Sequence, residues 1–256
     1  MNSIDGAEDE AEFTYRSGAD TGPDRWGLLR ADWATCYWGR MQSPITVPGD
    51  TTGPITGHRT GRLTRSYHPS PATLVNRGHD IMVRFDGNNA GSLLLDGVTY
   101  RLRQMHWHSP SEHALHGRRY DLELHMLHQS GGDDDRPGSG KYAVVAQLFE
   151  IGGDGEHRDE TLRMLEPYLK RIADRRRGYE EWIDYEVDPR RPVRGSDEFY
   201  KYTGSFTTPP CTEGVVWAVA TRVRRVSRHQ VELLREAVHD VRSNYPSSFS
   251  YAYGHG

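Results

Sequence analysis

Apolar residues recur along the chain at short, partly alternating intervals, broken by Gly or Pro every ten or so positions. Such punctuation favours short strands over long helices. Thr73–Val75, Ile81–Phe85, Ser92–Leu95, Val98–Arg103 and Leu122–Leu127 carry the pattern, as expected of half-buried strands whose successive side chains face opposite sides. Two stretches switch to helical spacing. Asp159–Ala173 aligns Leu162, Leu165, Leu169 and Ile172, and Arg228–Val241 aligns Val231, Leu234, Ala237 and Val241. Both are predicted as surface helices packed on a sheet. Ser227 stands where an N-cap belongs, with an oxygen for the first orphan amides of the second helix.

The pattern predicts one mostly β domain with a central sheet and peripheral helices. Residues 1–22 lack periodicity and read as a mostly flexible lead-in, of which 1–12 fall outside the domain assigned to residues 13–243. Residues 244–256 form a separate tail. The run Gly131–Gly140, with three successive aspartates, reads as a solvated loop between two strands. No internal repeat or linker divides the chain.

Composition narrows the function classes. Lys and Arg number 32 against 36 Asp and Glu, a net charge of -4, which is too balanced for a nucleic-acid surface or a polybasic membrane anchor. The basic runs Arg175–Arg177 and Arg190–Arg194 lie beside acidic residues and read as solvated surface. No apolar run is long enough to span a bilayer. Met1–Phe13 has neither a basic nor an apolar leader region, so no secretory signal is read here. Nothing in the pattern selects between a monomer and a dimer. Cys36 and Cys211 are the only cysteines, and either one long-range disulfide or two free thiols fits the count.

The candidate chemistry centres on Gln104-Met105-His106-Trp107-His108. Histidines at i and i+2 of a strand present both imidazoles to one face, which is metal-ligand geometry. A chance His-x-His pair on a sheet surface is the alternative. His125, in the alternating segment Leu122–Leu127, supplies a third imidazole, and three imidazoles leave one position open on tetrahedral zinc. His113 and His128 compete for that role, but His128 lies three positions beyond His125 and so faces the other way on a strand. Gln104 and Glu123 each precede a proposed ligand by two residues on the same face, where a side-chain oxygen can accept from a neighbouring imidazole and orient it. Solvated polar residues are the alternative for both.

QMHWHSPSEH from Gln104, followed by ELHMLH from Glu123, resembles the active-site signature of α-class carbonic anhydrases. The resemblance runs from Phe13 to Asp240, through GPDRWG at Gly22, QSPI at Gln42, NRGHD at Asn76 and YTGSFTTPPCTEGVVW at Tyr202. Several pieces are most similar to plant and bacterial secreted members. It implies a twisted, mainly antiparallel sheet and a zinc enzyme that interconverts carbon dioxide and bicarbonate, with no organic cofactor.

By the same resemblance, His106, His108 and His125 bind zinc. Thr207 accepts a hydrogen bond from the nucleophile and donates its own proton to Glu112. His79, in NRGHD, matches the proton shuttle, a role suited to an imidazole of near-neutral pKa. Tyr15 resembles the tyrosine of the solvent network. Leu127, Val144, Phe206, Val215 and Trp217 match the apolar wall beside the nucleophile, with Phe206 replacing a common leucine, and Thr208 matches a residue that helps to bind bicarbonate. Cys36 and Cys211 match a disulfide of secreted members, which implies an oxidising compartment, either outside the cell or in an organelle lumen.

One departure lies at the C-terminus. The family usually follows its last helix with Asn-x-Arg-Pro-x-Gln-Pro and a further strand, whereas this chain reads Asn244-Tyr245-Pro246-Ser247 and ends at Gly256. Weaker folding or zinc retention is the expectation. Two rivals follow: a binding or storage protein that kept the fold and lost the activity, and a zinc hydrolase acting on esters.

Overall fold

A strand buried at nearly every position needs cover on both faces, and the central strands are of this kind although several of their residues are polar. The computed structural model describes residues 13–47, 58–87, 89–131, 141–153, 157–173 and 175–238. Fourteen strands are present among them. They are β1 (Thr46–Val47), β2 (His58–Arg62), β3 (Thr64–Tyr67), β4 (Ala72–Asn76), β5 (Ile81–Phe85), β6 (Gly91–Leu95) and β7 (Val98–His108). There follow β8 (Ala114–Leu115), β9 (Leu122–Gln129), β10 (Tyr142–Ile151), β11 (Glu180–Trp182), β12 (Glu198–Ser205), β13 (Glu213–Ala220) and β14 (Arg224–Val226).

The main path through the large sheet runs β11-β4-β5-β7-β9-β10-β13-β12-β2. Pairing is mainly antiparallel, with parallel contacts between β10 and both β13 and β14. Its middle strands are buried on both faces. Along β9, Leu122, Leu124 and Met126 enter one apolar cluster and Leu127 another. On β10, Ala143 and Val145 face the first, while Val144 and Ala146 face the second. The first cluster is sealed by two helices.

The α-helices among the described residues are α1 (Trp26–Leu29), α2 (Thr35–Trp38), α3 (Glu160–Ile172) and α4 (Arg228–Ala237). Asp159, expected inside the helix, is instead its N-cap and accepts from the amides of Thr161 and Leu162. Ser227 caps α4 as expected and forms a capping box with Gln230. The stripes Leu162, Leu165, Leu169, Ile172 and Val231, Leu234, Ala237 all enter the first cluster. The expected continuation of α4 to Val241 lies outside the described residues, as do most of the Gly131–Gly140 loop and the whole 244–256 tail.

Residues 13–22 are not the flexible segment that their lack of periodicity suggests. From Phe13 onward the chain is packed: the Phe13 ring lies 5.1 Å from Trp26 and 4.7 Å from His79, and Thr14 N–H donates to Thr21 O. Isolated aromatics carry no period, so a segment fixed by aromatic contacts to distant residues is invisible to pattern reading. This aromatic corner includes Trp33 and the disulfide between Cys36 and Cys211.

Candidate metal centre

β7 changes face part-way along. Its pairing with β9 slips between Leu102 and Gln104, leaving Arg103 as a bulge, and an extra residue inverts the alternation beyond it. Tyr100 and Leu102 therefore share the apolar cluster with Met105 and Trp107. Gln104, His106 and His108 turn to the opposite side, where His106 sits directly across from His125 of β9.

The three imidazoles converge. Ring centroids are 4.9 Å apart for His106 and His108, 5.2 Å for His106 and His125, and 4.7 Å for His108 and His125. Their nitrogens lie within 4.8 Å of one another, close enough to hold a metal ion. His106 Nδ1 donates to Gln104 Oε1 at 2.8 Å, and His125 Nε2 donates to Glu123 Oε1 at 2.8 Å. The free lone pairs are thus Nε2 of His106 and Nδ1 of His125. His108 Nε2 is buried without a hydrogen-bond partner, as expected of an atom reserved for a ligand the chain does not supply. Burial lowers the pKa of all three rings and so favours the neutral form that can bind a cation.

Neither competitor for the third position is free. His128 faces the other way, with Nε2 2.8 Å from Tyr67 Oη and Nδ1 donating to Ala143 O. Both ring nitrogens of His113 are engaged, Nδ1 with Glu123 Oε1 and Nε2 with Tyr202 Oη, each at 2.6 Å. Burial would raise the Glu123 carboxyl, but His113 and His125 beside it prevail and hold it well below the usual carboxylate range. Tyr202 Oη in turn lies 2.8 Å from Ser43 Oγ. This buried chain was not read from the sequence, because Tyr202 and Ser43 meet His113 only through folding.

Glu112 approaches the same centre. Its Oε2 is 3.6 Å from His108 Nε2 and 3.9 Å from His125 Nδ1. Oε1 accepts from Tyr15 Oη at 3.3 Å, and the carboxylate is hydrogen-bonded to the Thr207 side chain. Burial raises its pKa. Thr207 and Thr208 lie between β12 and β13, and Thr208 Oγ1 is buried without a partner. Leu127, Val144, Phe206, Val215 and Trp217 gather in one apolar cluster beside the histidines. The Trp217 ring is 4.8 Å from both His113 and His125, and Phe206 meets Tyr142 edge-on at 5.0 Å.

His79 is covered by Phe13, and burial pushes its pKa down to about 3, against the near-neutral value expected of a shuttle. Its Nε2 has no hydrogen-bond partner.

The model of the eukaryotic-type carbonic anhydrase family matches residues 21–250. Alpha carbonic anhydrase 7 of Arabidopsis thaliana is 46% identical over 91% of this chain and 79% of its own length. Among solved structures, dioscorin complexed with ascorbate superposes with a TM-score of 0.76 at 38% identity, covering 93% of this chain and 95% of its own. A hyperthermostable carbonic anhydrase from a hydrothermal vent chimney gives 0.75 at 26% identity, covering 89% and 91%.

Proposed function

Because the chain belongs to the eukaryotic-type carbonic anhydrase family, we propose that it catalyses the reversible hydration of carbon dioxide to bicarbonate and a proton with zinc held by His106, His108 and His125. The observation that carries this reading is the trio of buried, neutral imidazoles whose outer nitrogens on His106 and His125 are taken by Gln104 and Glu123. Bound zinc would lower the pKa of a coordinated water so that a nucleophile exists at neutral pH, an effect for which carbonic anhydrase is itself the reference case.

The remaining work belongs to the chain. Thr207 gives its hydroxyl proton to the ionised Glu112, a carboxylate that can only accept. The threonine oxygen is left to accept a hydrogen from the nucleophile and so aims a lone pair at the substrate. Leu127, Val144, Phe206, Val215 and Trp217 offer an apolar wall to a substrate that is itself apolar. Thr208 Oγ1, unpartnered in the fold, is the donor for an oxygen of bicarbonate. His79, at the hairpin tip beneath Phe13, is the candidate to pass the released proton on to buffer. The disulfide suits an oxidising location, secreted or lumenal, and no described helix is long and apolar enough to cross a membrane.

The test is carbon dioxide hydration by stopped flow on protein of measured zinc content, before and after chelation. Activity that tracks about one zinc per chain supports the enzyme. Full zinc occupancy without hydration would favour a binding protein, a reading kept open by the likeness to dioscorin in its ascorbate complex.

A further inference from the structure

Large apolar side chains are exposed at few places among the described residues, and they are not spread evenly. Leu28, Leu29, Tyr37, Trp38 and Met41 fall within one stretch of α1, α2 and the turn that follows, whereas Leu94 and Trp182 stand apart. Leu28 is 66% exposed, Tyr37 54% and Trp38 73%. The stretch has two sides. Trp26 and Trp33 turn inward to the disulfide, while the Tyr37 and Trp38 rings meet edge-on at 4.8 Å on the outside. The two helices touch where Gly27 leaves room: a Cβ there would lie 2.4 Å from Tyr37 Cβ. Leu28 and Leu29 thus adjoin a residue in contact with Tyr37, and the outward side chains form one face. Together the five leave on the order of 600 Å² open, at the top of the range for the largest apolar patch on a monomer and close to the ~800 Å² that each partner gives to a standard interface.

The face is held firmly from behind. Trp38 N–H donates to Ala34 O and Gly39 N–H to Thr35 O, each at 2.9 Å. Met41 N–H donates to Glu213 Oε1 at 2.6 Å, Gln42 Nε2 reaches the same oxygen at 3.0 Å, and Cys36 is bonded to Cys211. A rigid face of large side chains loses little freedom when it is covered. Its exposed charged neighbours are Asp24, Arg25, Arg30, Asp32 and Arg40, with Arg30 paired to Asp32 at 2.6 Å. A nucleic acid or an anionic bilayer calls for a border of one positive sign, and this border carries both. Mixed signs suit a contact of like with like, in which an acid of one copy can meet a base of the other.

We propose that this face is the contact through which two copies of the chain form a symmetric dimer, with Tyr37 and Trp38 as its anchors and Leu28, Leu29 and Met41 around them. Trp, Tyr and Arg carry much of the binding energy at interfaces in general. Two such faces bury about 1,200 Å² in total, the lower bound for a stable interface, which makes the dimer reversible. Through Glu213 and the disulfide, the same face is joined to the segment that carries Thr207 and Thr208.

Analytical ultracentrifugation of the full chain from about 1 to 100 µM should show a monomer–dimer equilibrium with a dissociation constant of about 10 µM or tighter. Trp38→Glu, which sets a charge in the apolar centre, should weaken the dimer about ten-fold or more, with near-ultraviolet circular dichroism otherwise retained. Amide exchange across residues 26–41 should be slowed at high concentration and should quicken on dilution. A chain that stays monomeric throughout, or a dimer that survives Trp38→Glu, overturns the proposal. So does a monomer whose residues 26–41 are protected at every concentration, because the face is then covered within one chain. Binding of the monomer to phosphatidylcholine vesicles that is lost in Trp38→Glu would assign the face to a membrane and equally overturns it. Should Trp38→Glu not fold, Leu28→Glu is read by the same criteria.

Discussion

Glu123 Oε1 lies 2.8 Å from Nε2 of His125, so the carboxylate decides which nitrogen of that ring faces His106 and His108. The same oxygen holds Nδ1 of His113, and Oε2 accepts from the His113 amide. Replacing Glu123 with Gln keeps the volume, but it removes the charge and sets an amide donor against a ring N–H. Zinc affinity should fall by about 10- to 100-fold, measured by competition with a chelator at fixed pH. An unchanged affinity would mean that the orientation of His125 is set elsewhere.

Thr207→Ala removes the hydroxyl that is hydrogen-bonded to Glu112 and that we propose aligns the nucleophile. We expect kcat/KM to drop by roughly 10²-fold, with zinc content unaltered, since Thr207 is not among the clustered nitrogen donors. Thr207→Ser, which keeps the hydroxyl, should recover most of the rate. Equal losses in both variants would point to packing instead.

His128 sets a pH dependence of stability. Burial pushes its pKa from 6.5 down to about 4, so the folded protein binds fewer protons than the unfolded chain between those values. Stability from the neutral ring is complete above pH 6.5 and is lost as pH falls through about 4. The shift corresponds to on the order of 3 kcal/mol. Thermal unfolding followed from pH 7 to 4 should fall less steeply in His128→Gln than in wild type. Parallel curves would assign the acid sensitivity to other groups.

The disulfide closes a sequence separation of 175 residues, and in the chain-entropy account such a constraint is worth up to about 5 kcal/mol. The double variant C36S/C211S should unfold at lower urea and, because Cys211 follows Thr207 and Thr208 closely, should also lose turnover. Stability lost with full turnover retained would make the bond structural only.

What the sequence disclosed is what a short window contains. The five strands and two helices read from periodicity are all present, within a residue or two where both ends are described, except that the strand read as Val98–Arg103 runs on to His108. The facing of His106 and His108 followed from two-residue alternation, and so did the exclusion of His128. The bulge at Arg103 escaped notice because it shows only in the pairing with β9, which a local pattern does not contain. His113 could not be ruled out as a ligand from sequence, since what occupies its second nitrogen is Tyr202, 89 positions away. Phe13 and the buried Arg77–Asp80 ion pair escaped for the same reason: one is ordered by distant rings, and the other is a pair of charges at a turn, which local pattern assigns to solvent.

The order of strands along the chain has a bearing on biosynthesis. β5, β7 and β9 are adjacent in the sheet and complete by Gln129, so all three imidazoles can be assembled from contacts within the first half of the polypeptide. The loop bearing Thr207 arrives much later, between β12 and β13, which pair with each other and join the earlier strands through the parallel pairing of β13 with β10. On a ribosome, where the N-terminal part emerges first, the nascent chain gains its cluster of imidazoles before it gains the loop that carries Thr207.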